Sequence, residues 1–392
     1  EPPTTETPMS HCRPVVLTTV AFCLVLIAGS AAGGDGELTF RTDSQGEYAS
    51  YRLKRGETVW THVVRRFTSR TDDVNDADAV DLVLARSGIA DARRIPNNAE
   101  IKIPVELLAP EYRREHDAPS SKLLAGVVVI LDAGHGGVDT GARAQDGIYE
   151  DEIAYDVMCR AKRLLENETA ATVHVTIRDA SRGFATTAKR SHFPRDRDEY
   201  IQTTPTYQNL NTTVGLHLRW YLANSLYARA LRRGTASDRV IFTSFHADDL
   251  ARSLRGATIY IPGARYCTGS YGKSGWPYRR FAEVRERPTV AFTRSERERS
   301  ERLSREFAET LVAALRSARI KVFATKPIRD HIVRRTSFVP AVLRYNAVPT
   351  KLLVECGNLS NWRDRHNLAD PTFREQLARA YVDALVNFMS RR

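Results

Sequence analysis

Five ionisable residues of this 392-residue chain sit where short apolar runs or helical patterns begin or end. His135 stands in Asp132-Ala133-Gly134-His135-Gly136-Gly137, directly after the apolar run 127–131. Glu150 opens a stretch in which Ile153, Val157, Ala161 and Leu164 recur at helical spacing. His246, followed by Ala247 and Asp248, closes the run 239–245, and Glu355 closes the run 351–354. Imidazole nitrogen and carboxylate oxygen are metal ligands, so a histidine on a glycine turn and a glutamate at a helix start are two candidate ligands. Each is also an ordinary turn or cap residue. Recurrence is what turns them into a candidate site. Three apolar runs that each finish on an ionisable residue would gather those residues at the carboxyl edge of one sheet, where open α/β folds bind ligands.

The elements that must position them are legible in outline. A short uninterrupted apolar run bounded by glycines reads as a strand buried on both faces. Gly134, Gly136 and Gly137 allow a sharp turn and a close approach to whatever His135 binds. Glu152 competes with Glu150, but two residues apart on a helix they point about 200° away from each other, so only one can face the site. Helical patterns at 215–233, 300–315 and 371–389 alternate with the runs at 172–178, 239–245, 256–262 and 351–354. The expected fold class is therefore α/β, a mixed and mainly parallel sheet flanked by helices.

The ordered motifs resemble those of a known family. Asp132 to Gly137, then Asp139, Gly141-Ala142, Glu150, Ser244-Phe245-His246-Ala247-Asp248 and Leu353-Val354-Glu355-Cys356-Gly357-Asn358-Leu359-Ser360-Asn361 are similar to the motifs of zinc-dependent N-acetylmuramoyl-L-alanine amidases of the AmiC-like class (Amidase_3). The resemblance spans about residues 126–390. It implies one Zn2+ per chain held by His135, Glu150 and His246, with Glu355 as the general base. It also implies a peptidoglycan hydrolase that cleaves the amide between N-acetylmuramic acid and the L-alanine of the stem peptide. Asp132, Asp139 and Asp248 remain candidates for orienting ligands or for plain turn carboxylates. The chain departs from the family pattern at Ala133, Ile177 and Asn358-Leu359 and in its long inserts, none of which touches the four proposed residues. Two other readings stay open: a wall-binding scaffold without activity, and a zinc peptidase or deacetylase acting on cell-wall material.

Around this domain the sequence suggests three further parts. Residues 1–32 hold the one long apolar run, after Arg13 and before Ser30-Ala31-Ala32, and read as a secretory signal peptide or, left uncleaved, a membrane anchor. Its loss would remove Glu1, Glu6 and Arg13, a net −1, and raise the formal charge from +11 to +12. A basic chain suits an anionic partner. The resemblance points to peptidoglycan for that partner and to no nucleic acid. The expected location is secreted or periplasmic at the cell wall. Residues 49–104, with Gly56 at a turn, Thr58 at a helix start and Ile103-Pro104 closing a strand, resemble a lysin-motif (LysM) glycan-binding domain of α+β type. Residues 105–125 would be the linker and 126–392 the catalytic domain. The insert 179–213 carries no periodicity and is expected to be disordered or a surface excursion, and 263–294 is expected as a substrate-contacting loop, an inert excursion or a lid that an activator protein relieves. Of the five cysteines, Cys159, Cys267 and Cys356 would remain after leader removal, with no metal-ligand spacing and no disulfide framework.

Overall fold

The computed structural model describes residues 38–43, 45–68, 73–96, 98–108, 112, 122–144, 146–189 and 197–392. The leader and most of the expected linker lie outside the described residues. Among the described residues no helix is long and apolar enough to cross a membrane.

The amino-terminal unit is built on a three-stranded antiparallel sheet of β1 (Thr39–Asp43), β2 (Gly46–Arg52) and β3 (Glu100–Pro104), with β2 in the middle. Against it pack a single turn at Val59–Val64, entered through Thr58 whose hydroxyl accepts from the Thr61 N–H, and helix α1 (Asp73–Arg86). Its own small core includes Ala49, Tyr51, Val63, Phe67, Val83, Ile101 and Ile103. The sheet starts at Thr39, so the unit takes in one strand ahead of the expected boundary at residue 49.

The larger part is an α/β fold around a six-stranded mixed sheet whose strands follow one another from edge to edge as Ile328–Arg329, Thr258–Tyr260, Thr350–Asn358, Val240–Asp248, Val128–Ala133 and Thr172–Val175. The four strands β4 (Val128–Ala133), β5 (Thr172–Val175), β9 (Val240–Asp248) and β16 (Thr350–Asn358) are mutually parallel. β10 (Thr258–Tyr260) joins β16 antiparallel, and β13 (Ile328–Arg329) runs parallel to β10. On one face lie α2 (Glu150–Glu168), α4 (Arg294–Ser317) and α6 (Pro371–Met389), packed on Val129, Leu131, Ile241, Leu352 and Val354. On the other lies α3 (Thr212–Arg232), packed on Val128, Ile130, Phe242 and Leu353. β4 is buried along its whole length because both of its faces are covered, which is why its sequence shows an apolar run in place of alternation.

Both inserts form regular elements where they are described, so the described part of 179–213 departs from the first of its two expected forms, disorder. Within 179–213, β7 (Glu199–Ile201) pairs antiparallel with β6 (Ile177–Asp179) and with β8 (Tyr207–Gln208). Strands of two or three residues leave too few alternations to register as a pattern. The 263–294 segment forms a small antiparallel ribbon, β11 (Ser270–Gly272) with β12 (Thr289–Ala291), and the short helix Ala282–Glu286. It lies along α3: Tyr221 Oη donates to the Pro288 carbonyl (2.7 Å) and accepts from Lys273 N–H (2.8 Å), and Ser225 Oγ donates to Glu286 (2.5 Å).

Candidate active site

The carboxyl edge of the parallel strands carries the site. β4 ends at Ala133, the turn follows, and His135 adopts φ +63°, a left-handed conformation uncommon for a side chain with a Cβ. That backbone is pinned from α3. Arg219 donates to Asp132 Oδ1 (2.8 Å) and to the carbonyls of Ala133 and His135. Asp132 also accepts the Thr176 hydroxyl and the Ser244 hydroxyl (2.5 Å), so one buried carboxylate ties β4, β9 and α3 together under the loop. From the other side, Glu199 on β7 accepts the Gly137 N–H (2.6 Å), and the Asn209 side chain donates to the Gly136 carbonyl (2.6 Å).

Three donors converge here. Glu150, the first residue of α2, places Oε1 at 3.1 Å from His135 Nε2 and 2.9 Å from His246 Nδ1. The three ligand atoms lie within 4.8 Å of one another. Glu150 is further fixed by the Ala142 N–H (2.8 Å) and the Ala247 N–H (3.2 Å). Glu152 points elsewhere, to Arg182 (3.1 Å), so the helix geometry resolves the competition in favour of Glu150. A Cβ on Gly134 would run into the His246 ring, and one on Gly141 would meet Glu150 and His135. Both positions therefore keep the donors accessible to one another.

The charges at this point call for a cation. Burial disfavours protonated His135, yet Asp139 Oδ1, 3.1 Å from its Nδ1, and Glu150 outweigh that and raise its pKa to about 10. For Glu150, burial pushes the pKa up, and hydrogen bonds with His135 and His246 more than reverse it, holding the carboxyl well below its ordinary range. Two imidazoles and a carboxylate, with a carboxylate behind the first imidazole, form a donor set that fits Zn2+ and leaves its fourth position open. The residues present thus fit the metal.

Glu355 stands beside this cluster on β16, in register with His246 of β9 on one side and with Thr258 of β10 on the other. Its carboxyl is held well above the usual range, first by burial and then by the Asp248 and Glu150 carboxylates, with Arg329 acting the other way. Its Oε2 is buried and has no hydrogen-bond partner. Asp248 is pushed up to about 6 by burial, Arg329 opposing, and its Oδ2 is likewise buried without a partner. Two buried acids held above the ordinary carboxylate range beside a metal-type donor set have proton capacity to spare. The structure thus brings His135, Glu150, His246, Glu355, Asp139 and Asp248 to one place, while Asp132 serves the scaffold beneath. His217 is a helix residue facing its neighbours: Trp220 Nε1–H reaches its Nδ1 (3.1 Å), and its Nε2 lies 3.2 Å from Tyr271 Oη. His192 lies outside the described residues. Leu218-Arg219 is similar in sequence to the family's helix before the second histidine, but the loop-holding role of Arg219 was not legible there, nor were those of Glu199 and Asn209, polar residues of an aperiodic insert.

Comparison with known proteins identifies the family of the larger part. The family described as N-acetylmuramoyl-L-alanine amidase matches residues 129–387. No curated protein matches the chain. Among solved structures, the CwlD amidase of Clostridioides difficile, solved in complex with the GerS lipoprotein, is 19% identical with a TM-score of 0.40, covering 68% of this chain and 100% of that one. The Ami1 amidase of Mycobacterium smegmatis is 16% identical with a TM-score of 0.42, covering 69% and 100%. The catalytic domain of CwlV from Bacillus (Paenibacillus) polymyxa is 18% identical with a TM-score of 0.39, covering 68% and 99%. At such values the assignment rests on the family match.

Proposed function

The chain belongs to the N-acetylmuramoyl-L-alanine amidase family and is a peptidoglycan amidase; from that premise we propose that it does its chemistry with a zinc ion on His135, Glu150 and His246 and with Glu355 as general base. The observation that carries this reading is the convergence of three metal-type donor atoms within 4.8 Å, next to a buried glutamate that is not needed for ligation. An amide is a poor electrophile with a poor leaving group, so hydrolysis needs a deprotonated water, charge stabilisation at the carbonyl oxygen and a proton for the departing amine. Zinc bound by three protein ligands supplies a water of pKa near 7 and polarises the carbonyl. Glu355 takes the proton of the attacking water and returns it to the amine of L-alanine as the bond to the muramic acid lactyl carbonyl breaks. Asp139 orients His135 through Nδ1, and Arg219 holds the loop on which that histidine sits.

The same reading assigns glycan binding to the amino-terminal unit and a secreted or periplasmic, wall-associated location to the whole protein. It also gives the 263–294 segment a regulatory part. The segment packs along α3, the helix that carries Arg219, so an activator protein that moved it would act on the metal loop through α3. Trp276, 79% exposed, offers that segment's aromatic contact with glycan or partner.

His135→Ala and His246→Ala test the ligand set. Each is expected to bring zinc well below one per chain and to abolish release of L-alanine amino termini from peptidoglycan. Either variant retaining full zinc and full turnover would refute the assignment. Fragments whose new amino termini lie inside the stem peptide would identify a peptidase instead.

A further inference from the structure

A polar cavity lies at the amino-terminal end of β16, lined from the start of α4 and by Tyr227 of α3. Its volume is about 120 Å3, several times the ~10–15 Å3 that one water requires. Arg287, Arg297, Arg299, Arg344 and Lys351 line it, and Glu296 is the one carboxylate among its described lining residues. Glu296 is already committed, accepting from the backbone N–H and the hydroxyl of Thr293 (2.7 and 2.8 Å) at the start of α4. Three of the cations donate to neutral oxygens. Arg297 donates to the Phe292 and Ala264 carbonyls (2.7 and 3.1 Å), and Arg299 to the Ser237 hydroxyl (3.0 Å). Lys351, only 4% exposed, donates to the carbonyls of Asn346 (2.6 Å) and Val348 (3.0 Å).

Burying an ammonium costs several kcal/mol unless an opposite charge compensates. No carboxylate does so here. An ammonium has three N–H donors, and the two carbonyls leave one to spare. Arg344 Nε is buried without a hydrogen-bond partner. A buried donor without an acceptor is rare in folded proteins and points to an acceptor from outside the chain. A second sign of the same imbalance is that burial drives Lys351 down to about 8, with only the Cys267 thiol opposing.

From the five cations around one small cavity and its unpartnered buried donors, we propose that this pocket binds a small tetrahedral oxyanion, phosphate or sulfate, as the free ion or as the phosphoryl group of a larger molecule. Arg344 Nε–H and Lys351 Nζ–H would donate to its oxygens, and the surrounding guanidinium groups would balance its charge. The pocket is separate from the catalytic edge. Lys351 pairs with Phe242 and Glu355 with His246 on the same two strands, four residues or ~13 Å apart.

Calorimetric titration of the full zinc-loaded protein with inorganic phosphate, at ionic strength held constant with sodium chloride, tests this. One saturable phosphate per chain is expected, with Lys351→Met and Arg344→Gln each weakening it by about tenfold or more, the loss expected for one charge-assisted hydrogen bond. Arg344→Gln should leave amidase turnover in phosphate-free buffer unchanged, because Arg344 takes no part in the catalytic cluster. Glycerol phosphate binding as tightly as phosphate would identify a phosphoryl group as the occupant, and markedly weaker binding the free ion. Absence of saturable binding, or an affinity unaltered in both variants, would overturn the proposal; the latter would place the anion at the catalytic centre. If Lys351→Met does not fold, Arg344→Gln alone decides, since its half-buried side chain can be replaced without opening the core.

Discussion

Glu150 and Glu355 are chemically the same side chain and are driven in opposite directions by their surroundings. Glu150 receives two imidazoles and two backbone N–H groups, while Glu355 meets burial and other carboxylates. One is therefore suited to ligation and the other to carrying a proton. Glu355→Gln keeps the shape and removes the base, so zinc content and folding should stay near wild type while turnover falls by about 100-fold or more. Zinc loss in that variant, seen by metal analysis, would make Glu355 a ligand. A second prediction concerns His217, whose pKa burial lowers to about 4, helped by Lys273. Its folded value lies below the ordinary 6.5, so the unfolded chain binds the extra proton between pH 6.5 and 4, and stability is lost as pH falls through that window. His217→Phe should flatten this dependence by at most roughly 3 kcal/mol in denaturant titrations at pH 7 and pH 4.5. An unchanged slope would assign the acid sensitivity to other groups. His135, Glu150, His246 and Glu355 were legible in the sequence because each ends or opens a local element. Arg219 was not, since its partners are backbone carbonyls more than eighty residues away in the chain.

The elements act mainly by holding their ends still. α3 reaches across the sheet to fasten the glycine loop through Arg219, whose three bonds all land within four residues of chain. Arg219→Gln should lower zinc affinity by about 10–100-fold, the usual loss when a group supporting a ligand is removed. Lysine at the same position should restore only part of it, because it lacks the planar fork. Equal zinc affinity in all three proteins would mean that the loop holds itself. α2 is anchored by a fully buried ion pair, Asp156 with Arg374 of α6 at 2.6 Å. Asp156 also pairs with Arg160 (2.7 Å), so it is loss of the carboxylate that strands a charge: Asp156→Asn should cost about 3–5 kcal/mol of unfolding free energy, and a loss below 1 kcal/mol would show the pairing to be dispensable. Long elements were readable because fifteen or more residues repeat their pattern: α6 is Pro371–Met389 as expected. α4 begins earlier than its apolar pattern, at Arg294, since a capping box of Thr293 and Glu296 starts it before its first buried residue. The pairing of β7 was invisible because it is made by three-residue strands and set by their partners.

At the scale of the molecule, the amino-terminal unit has a core of its own and meets the larger part where Arg178 donates to the Arg66 carbonyl (2.7 Å). The proposed division of labour predicts that a chain beginning at residue 122 keeps its turnover on soluble muropeptide while co-sedimenting far less with insoluble peptidoglycan. Equal sedimentation would place wall binding in the catalytic domain. The pairing of Glu355 with His246 on adjacent parallel strands has a further consequence. Their separation is set by strand spacing, ~4.8 Å, and their common face by the two-residue period of the pleat. Adding or deleting a single residue within 240–246 of β9 or 350–355 of β16 would turn one of them to the opposite side of the sheet, whereas β16 already takes up a register shift beyond Glu355 and the 179–213 and 263–294 segments lie outside both strands. Length variation among descendants of this chain should therefore collect in those two segments, and the spans 240–246 and 350–355 should behave like a reading frame, open to substitution and closed to insertion.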